Sequence, residues 1–68
     1  MSLEQCIRLK IRDLRQNHIT GMSIRNLKML VDTSSLDIGP DQFHSSFEVV
    51  ANRVATQEQF PIIEEGLS

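Results

Sequence analysis

The residues of this 68-residue chain with the means for bond-making chemistry are few: Cys6, His18 and His44. Cys6 and His18 could share one side of a helix, but twelve helical residues span roughly 18 Å. A nucleophile and its base must lie within hydrogen-bond reach, so the two cannot act together. One cysteine excludes an internal disulfide, and with two histidines it is too thin a set for a structural zinc site. Cys6 reads as a small core hydrophobe. His18 suits the negative end of a helix, and His44 a solvated position. Glu64-Glu65 is a charged end and not a paired-carboxylate site, and Gly21, Gly39 and Gly66 are each isolated, so no phosphate-cradling loop forms. The expectation is a protein with no catalytic, cofactor-binding or metal-ligating residue, and no enzyme.

Arginine offers a different chemistry. Arg8, Arg12 and Arg15 step by four and three, a basic ridge on one side of a helix. The overall charge of −2 hides their weight. Residues 1–30 hold six cations against Glu4 and Asp13, a balance of +4, whereas residues 31–68 hold Arg53 against seven carboxylates, a balance of −6. Such a split marks a basic contact surface, or two halves or two copies that attract each other.

The elements that must position these residues are helical. Leu3, Ile7, Ile11 and Leu14 form one stripe, predicting a helix from Leu3 to Asn17. Thr20 and Ser23 are plausible caps for a second helix, Met22 to Asp32, with Ile24, Leu27 and Val31 inward. Thr33 to Gly39 reads as a loop rich in Ser and Asp. Gly39-Pro40-Asp41 starts a third helix, because proline's fixed φ fits the first helical position and Asp41 suits the positive end of the dipole. That helix is predicted to reach Ala55, with Phe43, Phe47, Val50 and Val54 anchoring the core. The fold class is therefore all-α: three short helices, a helical hairpin plus an N-terminal helix. Residues 1–55 make one domain, and 56–68 a tail, extended or loosely ordered, since Pro61 blocks further helix.

So short a chain buries only roughly 60% of its extended surface, which makes a lone core marginal. Leu9, Met29 and Val49 fall off the main stripes, so the chain is expected to dimerise or to cover them with a partner. No stretch has the length and hydropathy of a membrane span, and the first residues lack a signal peptide's apolar run, so a cytoplasmic protein without membrane contact is expected. Direct DNA binding through helix three is disfavoured by its exposed carboxylates and single arginine. The alternative is a small transcriptional regulator that touches nucleic acid through Arg8, Arg12 and Arg15.

The run Ile24-x-x-Leu27-x-x-x-Val31-Asp32-Thr33, followed by Asp41-x-Phe43-x-x-x-Phe47-Glu48-Val49-Val50-x-x-Arg53, resembles the small enterobacterial regulators of the AriR (YmgB) type. The likeness covers Thr20 to Ala55, about half the chain. His44 and Phe47 stand where that family often has arginine and leucine. The resemblance implies an all-helical, non-enzymatic homodimer, a connector feeding two-component phosphorelay signalling linked to biofilm formation and stress response. Matching positions are Ile24, Leu27, Val31, Phe43, Phe47 and Val50 as core or interface, with Glu48 and Arg53 as exposed candidates for contact with a signalling partner or nucleic acid.

Overall fold

A computed structural model of the chain describes residues 1–63. The acidic end at Glu64-Glu65 lies outside the described residues. Within them the chain is all-α, with three α-helices, one 3-10 turn and no strand.

Helix α1 spans Leu3–Gln16. Its start is fixed by a capping box. The Ser2 hydroxyl accepts from the Gln5 N–H at 3.2 Å, and the Gln5 amide oxygen accepts from the Ser2 N–H at 3.2 Å. Leu3, Cys6, Ile7, Ile11 and Leu14 are buried. At the far end the chain turns at His18, whose φ is +65°. The His18 N–H donates to the Arg15 carbonyl and the Ile19 N–H to the Leu14 carbonyl, the paired bonds of a Schellman stop.

Helix α2, Ile24–Leu30, is shorter at both ends than the apolar spacing predicts. Ser23 caps it by accepting from the Asn26 N–H at 3.1 Å. It stops because Asp32 offers its neighbours a better arrangement than more helix. The Asp32 carboxylate accepts from the Ser34 N–H at 2.9 Å and from the hydroxyls of Ser34 and Ser35 at 2.6 and 3.2 Å. These bonds, led by the Ser34 hydroxyl, hold the Asp32 carboxyl below its ordinary range. They also close the 3-10 turn Thr33–Ser35 inside the expected loop.

Helix α3, Pro40–Gln57, starts at Gly39-Pro40 as expected and runs two residues past Ala55. It stops as α1 does, now with Gln59 at φ +56°, the Gln59 N–H on the Thr56 carbonyl and the Phe60 N–H on the Ala55 carbonyl. The stop turns Phe60 into the core, where it is 3% exposed. Residues 58–63 thus lie against the bundle, and Ile62 forms a lone parallel bridge with Met22.

The core lies chiefly between α1 and α3, with Leu27 and Val31 closing it from α2. Phe47, Ile7, Ile11, Leu27 and Val54 are its largest wholly buried side chains. Phe43 packs on Phe47 with ring centroids 5.2 Å apart. The core position in the middle of α3 is Ala51, while Val50 and Ile24 sit half-buried at the margin. Phe43, Phe47, Ala51 and Val54 step by four, four and three, as helical a spacing as the one through Val50, and packing against α1 selects this set.

Two outcomes follow from this packing. Phe47→Ala removes a side chain that is 1% exposed and costs about 3–5 kcal/mol, comparable with the whole stability of a small domain, so helical circular dichroism falls at room temperature. Gln59→Gly relieves a left-handed backbone that a side chain resists, and after the unfolded state's extra freedom is counted it stabilises by about 0.5 kcal/mol. Thermal unfolding reads this as a rise of roughly 2–4 °C.

Candidate functional site

The basic ridge stands on α1 where the spacing places it, but the chain itself occupies much of it. Arg8 donates to Glu4, one turn earlier, at 3.0 Å and to the Gln57 amide oxygen at 2.6 Å. Its second nitrogen lies 3.8 Å from Glu58. Arg12 binds the Glu58 carboxylate at 2.6 Å through Nε. Arg15 donates to the Glu58 backbone carbonyl at 2.8 Å. Arg53, on α3, reaches back to Glu4 at 3.3 Å. Four arginines therefore converge on two glutamates and the end of α3.

The physical reason is at the C-terminus of α3. Its last turn carries no basic residue to offset the partial negative charge of unpaired carbonyls, and α1 supplies three guanidinium groups across the interface. The Glu58 side chain is only 14% exposed. The Arg12 hydrogen bond is the largest influence and outweighs the opposing effect of desolvation; the charges of Arg12, Arg8 and Arg15 add to it, so the carboxyl is held below the ordinary 4.5. The sequence showed the charges but not their pairing, because Arg12 and Glu58 are 46 residues apart. Glu58 and Gln57, which had no assigned role, form the hub of the cluster.

Among the described residues the arrangement leaves a local balance of +2 on this edge, since four guanidinium groups meet two carboxylates. Arg12 and Arg53 still present 57% and 51% of their side chains to solvent. Glu48, the other exposed residue that the resemblance singles out, lies apart from this edge. It lines a shallow depression of about 370 Å³ with Ser23, Ile24, Asn52 and Ile62.

Cys6 is buried and free, as a core hydrophobe should be. His18 sits exposed just beyond α1. His44 is exposed and in contact with Lys28 through Nδ1, and its ring meets the edge of Phe43 with centroids 5.9 Å apart. Lys28 Nζ lies 5.8 Å from the centre of that phenylalanine ring. The structure thus keeps Cys6, His18 and His44 as three separate environments. Among the described residues no three His, Cys, Asp or Glu side chains form a group able to hold a metal ion, and no helix is long and apolar enough to cross a membrane.

The apolar residues that fall off the stripes remain at the surface: Met29 is 77% exposed, Val49 66% and Leu9 52%. Leu9 has company. It lines a shallow hollow of about 340 Å³ with Met1 and Cys6, bordered by Lys10, Asp13 and Asp32.

Glu58→Gln tests the clamp. Because the folded carboxyl titrates below its ordinary 4.5, its stabilising effect is complete above that value and fades as the pH falls through the folded value. The variant is less stable than the parent at pH 7, and the gap in urea midpoint closes as the pH drops toward 3. A gap of constant size over that range would place the stabilisation elsewhere. No family model matches the chain, and no match appears among curated proteins or solved structures.

Proposed function

We propose that the chain is a small, non-enzymatic regulatory protein that works in the cytoplasm as a homodimer, by docking onto a signalling protein. The observation that carries this reading is the exposure of Met29, Val49 and Leu9 where, among the described residues, thirteen buried apolar side chains already fill the core. Large apolar groups left in water favour association in proportion to the area they can bury. The resemblance to AriR-type regulators supplies the finer form of the proposal: a connector that modulates phosphoryl flow between two-component proteins in biofilm or stress responses.

Nucleic acid is the weaker alternative. Phosphate binding draws on unpaired cationic side chains, whereas Arg8, Arg12, Arg15 and Arg53 are engaged with Glu4, Gln57 and Glu58.

The test is affinity capture with the intact protein and with Met29→Ser/Val49→Ser, the retained proteins being identified by mass spectrometry. Both positions are surface sites, so helical content is unchanged, and a signalling protein captured by the parent falls at least tenfold in yield with the variant. Equal capture by both proteins would remove these side chains from the docking surface. Retention on duplex DNA that collapses between low and moderate salt, and vanishes when the α1 arginines are neutralised, would favour the alternative.

A further inference from the structure

Ser2, Cys6, Leu9 and Asp13 step along α1 by four, three and four, a second stripe that borders the core at Cys6 and lies away from the arginine ridge. It has a half-exposed leucine and a buried cysteine at its centre, with Met1 alongside at 54% exposure. It forms one wall of the 340 Å³ hollow against Asp32 of the α2–α3 connection. We infer that this stripe is where a second copy of the chain docks, its α1 antiparallel to the first about a two-fold axis midway between Cys6 and Leu9. The inference rests on the dimeric reading above and names the surface responsible for it.

Two arguments select this occupant and this face. In a two-fold pairing each residue meets its counterpart reciprocally, so this axis sets Cys6 of each copy opposite Leu9 of the other and Asp13 opposite Ser2. Ser2 is the N-cap of α1, so each Asp13 carboxylate comes to the positive end of the other copy's helix, a favourable charge pairing made twice. The arginine edge fails the same symmetry test. With a surplus of +2 it would face an identical surplus across the axis. The hollow closes on a copy of itself, and the arginine edge stays outward.

Sedimentation of the intact chain over a wide concentration range tests this, with circular dichroism to verify the fold of each variant. The parent sediments as a dimer. Leu9→Glu, at an exposed site, raises the dimer dissociation constant at least tenfold, and Asp13→Lys raises it several-fold by placing a cation against the helix start. Val49→Glu, on α3 and outside the hollow, leaves it unchanged. A parent that stays monomeric at the highest concentration overturns the inference, as does a dimer that ignores Leu9→Glu and Asp13→Lys or one that Val49→Glu disrupts. Failure here, with capture still lost in Met29→Ser/Val49→Ser, would leave the regulatory reading standing without this interface.

Discussion

The contact between α1 and α3 organises the whole molecule. Ile7, Ile11 and Leu14 of α1 and Phe47, Ala51 and Val54 of α3 are buried together in one apolar seam. At one end the seam gives way to guanidinium groups closing over Glu58 and the last carbonyls of α3. The two parts are complementary in kind. Apolar burial supplies most of the free energy but little direction, and the arginine bonds, charge-assisted and directional, fix how far one helix slides along the other. The short α2 could not do this alone, since only Leu27 among its seven residues is fully buried.

The helices were legible because each carries its apolar residues at helical spacing, and Ser23 and Gly39-Pro40 mark where the second and third begin; the Ser2 capping box of α1 was not read. The end of α1 was read to within one residue, and the ends of α2 and α3 were harder. The end of α2 depends on Asp32 gathering Ser34 and Ser35, a local competition that apolar spacing does not register. The ends of α1 and α3 use His18 and Gln59 in left-handed geometry where glycine would have announced the turn. Phe60 was missed for that reason. Beyond Pro61 no period remains, and only the stop at Gln59 aims the phenylalanine inward. The ridge of Arg8, Arg12 and Arg15 was visible as charge, and attraction between the chain's two halves was one of its readings. Its engagement with Glu58 depends on how α1 and α3 are brought together, which no local pattern contains.

The surface divides the remaining tasks. Arginines that on a linear map suggest a polyanion site spend much of their hydrogen-bonding capacity within the chain, and their excess charge still favours acidic neighbours over basic ones. Apolar exposure is distributed over all three helices, at Leu9, Met29 and Val49. The exposed apolar groups and the arginine edge are thus built from different residues.

The seating of Phe60 bears on how the molecule is made. Seven-residue α2 is too short to hold its helix alone, and the core it shares with α1 stays open until residue 60 has been synthesised and Ile62 has met Met22. Until then the apolar side of α1 lacks the last piece of its cover, so residue 60 is the part that completes the fold.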